Sequence, residues 1–203
     1  MLSEVIRNIF RFILLVLVQV LVIKNIELGR FINPFIYVLF IIILPFETPK
    51  WLLLLVAFIF GITIDMFYDT AGMHAAASVF MAYIRPGVLK LFSPRDGYEF
   101  GTQPTIQYLG MPWFLSYSGI LIFLHHLVLF YIEIFRLNEF FSTFFRVIVS
   151  SIFTILLVIF SQYLFTAKKN RNEPVVRTEI YHYRCYYTGR LNLYITFILY
   201  PGN

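Results

Sequence analysis

Apolar runs separated by short polar breaks set the pattern of this chain. A helix needs about 20 largely apolar residues to cross the hydrocarbon core of a bilayer. Runs of that kind cover roughly Val5–Ile23, Lys50–Phe67, Gly72–Phe92, Trp113–Phe135 and Phe141–Phe165. One more, Pro34–Leu44, lies between Pro34 and Pro45 and is only about 11 residues long. It would cross alone only with bilayer thinning or with Leu28–Asn33 included, and is otherwise re-entrant. The pattern predicts an all-α integral membrane protein of about six transmembrane helices, the second short and either spanning or re-entrant. Residues 1–167 form that polytopic domain, and residues 168–203 form a basic, Tyr-rich C-terminal tail that is disordered or interfacial.

Orientation follows from Lys and Arg in the short loops. With six spans and both termini cytoplasmic, the inside receives Arg7, Arg11, Lys50, Arg85, Lys90, Arg95, Lys168, Lys169 and Arg171, and the outside Lys24, Arg30, Arg136 and Arg146. The excess favours this orientation, which a re-entrant second segment would break. Arg7 and Arg11 ahead of the run Phe12–Ile23 resemble a signal sequence, but no small-x-small cleavage site follows, which predicts a retained first span. The connector Ser93–Pro112 is the one sizeable internal loop; on the cytoplasmic side it reads either as a surface for a soluble partner or as a linker with interfacial aromatics.

Composition agrees with the pattern. Hydrophobic residues make up 60% of the chain and charged ones 13%, against about a quarter charged in soluble domains. Mean hydropathy is +0.78, and an aromatic share of 20% suits lipid-facing side chains and interfacial belts. The net charge of +5 divides unevenly: Met1–Ala167 hold 10 Lys/Arg against 9 Asp/Glu, and Lys168–Asn203 hold 6 against 2. A basic tail on a membrane protein meets anionic lipid or sets orientation rather than reading a duplex, so no nucleic-acid partner is expected. Cys185 is the single cysteine, which excludes an intramolecular disulfide and a clustered thiolate site.

Polar residues inside the runs are the candidates for function or for packing. Gly61, Asp65 and Asp69 fall at i, i+4 and i+8 on one helix face. Asp65 and Asp69 read either as intramembrane functional groups or as solvated groups at a span end, with Asp69 or Thr70 capping the next helix. Ala71, Ala75, Ser78 and Ala82 form a small-residue stripe that lets another helix approach, either within the chain or in a homo-oligomer or partner. Gly72 precedes that helix, and His74 and Arg85 close its two ends. His126 and Glu133 lie two turns apart on one face, with His125 about 100° away. The HExxH spacing is absent, so no metal is expected; interhelical hydrogen bonds for the histidines and an outer-interface position for Glu133 are expected instead. No Walker loop, GxSxG elbow or GxGxxG occurs, and neither catalytic residues nor a cofactor are expected.

The segment GITIDMFYDTAGMHAAASVFMAYIRP resembles the central segment of the MreD family, the rod shape-determining membrane proteins of bacteria. LFSPRDGYEF, WFLSYSGILIFLHHLVLFYIEIF and RVIVSSIFTILLVIFSQYLF resemble the form of that family found in Bacteroidetes-type bacteria. The likeness covers about Met1–Thr166, with Gly61, Asp65, Gly72, His74 and Arg85 in the most family-like spacing; its weight lies in their order. It implies a multi-pass protein of the bacterial cytoplasmic (inner) membrane. Such a protein acts as a non-catalytic scaffold with MreC and MreB, beside RodA and its penicillin-binding transpeptidase, to direct side-wall peptidoglycan synthesis. The family also resembles the six-helix substrate-binding subunits of energy-coupling-factor vitamin transporters, which supplies the alternative function, although a shared fold does not carry a ligand site across. The chain departs from the family after Lys169, where the tail reads either as a lipid-holding interfacial segment or as an extension without selected structure.

Overall fold

The computed structural model describes residues 2–26, 32–94, 97–98, 102–134 and 140–170, with side chains described from residue 6 to residue 164 of these. The chain divides into two units, Met1–Thr166 and Ala167–Asn203. Expectations for the tail beyond residue 170 lie outside the described residues.

The described elements are all helical. Helix α1 (Leu2–Leu17) continues as a π-helical turn, Val18–Ile23; a 3-10 turn, Ile36–Val38, leads into the short α2 (Leu39–Ile42). There follow α3 (Lys50–Tyr68), α4 (Met73–Leu91), the one-turn α5 (Ile106–Leu109), α6 (Met111–Ile134) and α7 (Phe140–Asn170). Four segments are long and apolar enough to cross a bilayer: Ile6–Ile23, Lys50–Tyr68, Met111–Ile134 and Phe140–Leu164. The chain is a membrane protein. Helix α4 is not among the four, because His74, Arg85, Pro86 and Lys90 dilute its apolar character.

The short segment expected to span or re-enter does something more specific. From Phe35 to Leu44 every side chain is buried, several of them completely. Irregular backbone at membrane depth has no water to satisfy it, so it is tolerated where protein surrounds it. Here a broken helix forms the centre of the first unit, and its rings interlock with those of the surrounding helices: Phe40 stacks on Phe60 at 5.1 Å, and Phe12 meets Phe60 edge-on at 4.5 Å.

Helices α3 and α4 form the tightest hairpin. Asp69 ends α3 in the left-handed region at φ 53°, and Gly72 starts α4 at φ 83°, a conformation glycine adopts without strain. Within the hairpin a Cβ on Gly61 would lie 2.7 Å from the Ala75 nitrogen and closer still to its Cα. The helices touch backbone to backbone there. The small-residue stripe therefore works inside the chain: Ala75, Ser78 and Ala82 are buried. Ala71 does not belong to it, since it is exposed in the bend before α4 begins.

At the far end of α4 the described part of the connector is tied to the helices. Tyr98 stacks flat on Phe46 at 4.1 Å and donates to the Leu89 carbonyl at 2.8 Å. The Trp113 indole donates to the Phe92 carbonyl at 3.1 Å.

Candidate functional site

The polar groups of the long helices converge on two structural problems: the first turn of α4 and the broken central segment. The first turn of any helix leaves N–H groups unsatisfied, and Gly72, as N-cap of α4, has no side chain to serve them. Asp65 reaches across from α3. Its Oδ1 accepts from the His74 N–H at 3.0 Å and its Oδ2 from the Ala75 N–H at 2.9 Å. The Thr70 hydroxyl donates to Oδ1 at 2.5 Å, and the His74 Nδ1–H points to the same oxygen at 3.0 Å. One carboxylate thus occupies the positive end of a helix that belongs to its neighbour in the hairpin.

This arrangement corrects two expectations. Asp65 is 3% exposed, so it is not a solvated span-end group. Neither Asp69 nor Thr70 caps α4: Asp69 is exposed and closes α3 instead, while Thr70 buttresses the carboxylate. The trio Thr70, His74 and Asp65 is also not wired as a nucleophilic relay. Such a relay needs the hydroxyl on the imidazole nitrogen opposite the carboxylate; here Thr70 Oγ1 lies 3.0 Å from Nδ1, the nitrogen that faces Asp65.

The central segment is held along its whole length by side chains from the surrounding helices. At its start the Asn33 N–H donates to Ser150 Oγ at 3.0 Å, and with the Asn33 amide turned so that its oxygen faces the guanidinium, that oxygen accepts from Arg146 Nε and Nη2 at 3.1 and 3.0 Å. Gln19 donates from Nε2 to the Pro34 carbonyl at 3.3 Å and to the Tyr68 hydroxyl at 2.7 Å. Gln19 sits in the π-helical turn, whose Lys24 N–H bonds the Gln19 carbonyl at 2.9 Å, and it is completely buried. The Phe35 N–H donates to Thr154 Oγ1 at 3.1 Å. The Tyr37 hydroxyl bonds His125 Nε2 at 2.8 Å.

At its end the segment stops at Pro45 and leaves carbonyls without helical partners. Tyr117 donates to the Ile42 carbonyl at 3.1 Å, and Arg85 Nη2 donates to the Leu44 carbonyl. Arg85 Nε also donates to the Tyr117 hydroxyl at 2.9 Å. The guanidinium therefore lies at the carbonyl end of a short helix, where positive charge is favoured. Arg85 is 1% exposed, six residues before the end of α4. It does not close that helix, and it drops out of the loop charge from which the orientation is read.

His126 serves the start of the segment, through Thr154. Its Nδ1–H donates to the Ile122 carbonyl at 2.9 Å, which leaves Nε2 to accept from the Thr154 hydroxyl at 3.1 Å. The chain Phe35 N–H, Thr154 O–H, His126 Nε2 is thereby complete. Glu133 takes no part in the interior; it pairs with Arg146 at 3.2 Å, whose guanidinium also covers the Phe130 ring at 4.3 Å. Among the described residues no group of three or more His, Cys, Asp or Glu side chains converges as a metal site.

The structure thus joins Gly61, Asp65, Gly72, His74 and Ala75 in one contact, leaves Asp69 beside it, and sets Arg85 and His126 on the central segment. Sequence reading missed Gln19, Asn33, Tyr37, Tyr117, Ser150 and Thr154. Gln19 had a signal, a lone amide inside VLVQVLVI; Tyr37 and Tyr117 had none, because aromatic residues are abundant in every run. Comparison with known proteins gives no match: no family model, no curated protein and no solved structure corresponds to this chain.

Proposed function

We propose that this chain is a non-catalytic membrane scaffold of the MreD type, working in the bacterial cytoplasmic membrane with MreC, and through it MreB, RodA and the penicillin-binding transpeptidase, in side-wall peptidoglycan synthesis and cell shape. One observation carries the reading. Gly61, Asp65, Gly72, His74 and Arg85, whose order resembles the family, are the residues that build the α3–α4 contact and the clamp on the central segment. Both Asp65 oxygens serve backbone N–H groups of α4 and Arg85 Nη2 serves a backbone carbonyl, which suits a protein whose product is a fixed shape.

In this reading the central segment counts with α1, α3, α4, α6 and α7 as six segments at membrane depth, both termini are cytoplasmic, and the fold is of the transporter substrate-binding type. Phe35 and Tyr37 fill the middle of the helices, where a vitamin-binding subunit would hold its ligand, and this favours the scaffold over the transporter alternative. Two measurements test the proposal. Depletion should round rod-shaped cells, and affinity purification from solubilised membranes should recover MreC. Normal rods after depletion, or purification without MreC, would refute it.

A further inference from the structure

The end of the central segment is gripped twice, from the interior and from the surface. In the interior, Arg85 Nη2 holds the Leu44 carbonyl and Tyr117 the Ile42 carbonyl, and both side chains are buried. At the surface, two residues further on, the half-buried Phe46 ring lies flat against Tyr98, with centroids 4.1 Å apart and planes 3° from parallel. Tyr98 and Trp113 are themselves fixed to the end of α4, Tyr98 through the Leu89 carbonyl at 2.8 Å and Trp113 through the Phe92 carbonyl at 3.1 Å. Carbonyls at the C-terminal end of a helix have no partner within it, so they are free to take these donors.

The two grips are joined. Trp113 stacks on Tyr117 at 4.9 Å and meets Tyr98 edge-on at 5.9 Å, while Arg85 Nε donates to the Tyr117 hydroxyl at 2.9 Å. The contacts close a circuit: from Tyr98 to Phe46, along the backbone through Pro45 to the Leu44 carbonyl, on to Arg85, Tyr117 and Trp113, and back to Tyr98. Closely packed side chains pass a displacement to their neighbours. The circuit can be reached from one side, since Tyr98, Phe46 and Trp113 are half-buried and Arg85 and Tyr117 are enclosed. We propose that Tyr98 is a strap across the end of the central segment: with its ring on Phe46 the Ile42 and Leu44 carbonyls stay clamped, and lifting the ring loosens the clamp from outside the helices. Coupling between two sites is reciprocal, so a disturbed clamp also loosens the strap.

The test uses the full chain in lipid nanodiscs and reads the coupling in both directions. Hydrogen exchange reports local opening. In Tyr98→Ala it should be about tenfold faster for amides of residues 39–48, the loss expected from one ring stack and one hydrogen bond. Tyr83→Ala, whose ring is 74% exposed on α4, should leave those amides unchanged. For the reverse direction Trp51→Phe makes Trp113 the sole tryptophan. Tyr117→Phe then keeps the ring on which Trp113 stacks and removes only the hydroxyl, so a red shift of Trp113 emission reports a lifted strap rather than a lost neighbour. Both effects are expected. Unchanged exchange in Tyr98→Ala, equal acceleration by Tyr83→Ala, or Trp113 emission indifferent to Tyr117→Phe would each overturn the proposal.

Discussion

The Asp65 carboxylate accepts the Ala75 N–H at 2.9 Å, so a side chain of α3 caps the first turn of α4. Both oxygens are engaged by donors, which makes the site intolerant of an amide. Asp65→Asn presents N–H2 to at least one backbone N–H and leaves it unpaired in the interior. Loss of a hydrogen bond to a charged group costs about 1.5–3 kcal/mol, and unfolding of the purified protein in mild detergent should show a loss of that size. Asp69→Asn should change little, since Asp69 is exposed and asparagine tolerates its left-handed backbone. Equal losses from the two substitutions would refute the cap.

Gly61 tests the other half of the same contact. Its missing Cβ is where the Ala75 backbone lies, with the His74 carbonyl oxygen 2.8 Å from the position a Cβ would take. Neither neighbour is the end of a flexible side chain, so the helices must separate. Gly61→Ala should cost about 1–3 kcal/mol, the range for overpacking, and the larger Ala75→Leu should do worse by the same route. Helix separation predicts that a cysteine pair placed across α3 and α4 loses crosslinking yield in the Gly61→Ala background.

The long helices were legible because length and apolar composition alone define them; α3 and the run of α6 differ from expectation by a residue or two at their ends. The central segment was legible only as an anomaly. Its length ruled out an ordinary span, but nothing local says that Gln19, Arg85, Tyr117 and Thr154, which are remote in sequence, supply its missing hydrogen bonds. The motif from Gly61 to Arg85 names residues that sit at the helix contact and on the central segment, but its spacing does not contain what each of them does there. Spacing placed Asp65 on a face with Gly61, yet its distance from bulk water depends on how α4 folds back, which periodicity does not contain. Arg85 was misplaced for a similar reason: positive charge near a run's end usually means a loop, and here it caps buried carbonyls.

Arg85 and Tyr117 act on carbonyls two residues apart and on each other, so their effects should not add. Tyr117→Phe removes the donor to the Ile42 carbonyl and the acceptor for Arg85 Nε. Arg85→Met removes the donor to the Leu44 carbonyl. Each substitution should cost about 1–3 kcal/mol, the penalty of an orphaned buried group. A double-mutant cycle in detergent should give a coupling of about 0.5–3 kcal/mol, as for residues in one hydrogen-bond network. Additivity within a few tenths would show that the two groups serve the segment independently. Arg85→Lys should not rescue, because an ammonium lacks the planar fork that reaches a carbonyl and a hydroxyl together.

The Glu133–Arg146 pair separates a surface contact from an anchoring one. Glu133 is 39% exposed at its side chain, and a partly exposed ion pair contributes little, about 0–1 kcal/mol. Glu133→Gln should therefore be nearly silent in unfolding measurements. Arg146 does more: it covers the Phe130 ring and holds the Asn33 amide oxygen through Nε and Nη2, where the central segment begins. Arg146→Ala removes all three contacts at once and should cost well over what Glu133→Gln does. Asn33→Ala should reproduce a large part of that loss, and in the Asn33→Ala background the further effect of Arg146→Ala should shrink. If Glu133→Gln and Arg146→Ala proved equal, the ion pair alone would account for Arg146 and its hold on the central segment would be refuted.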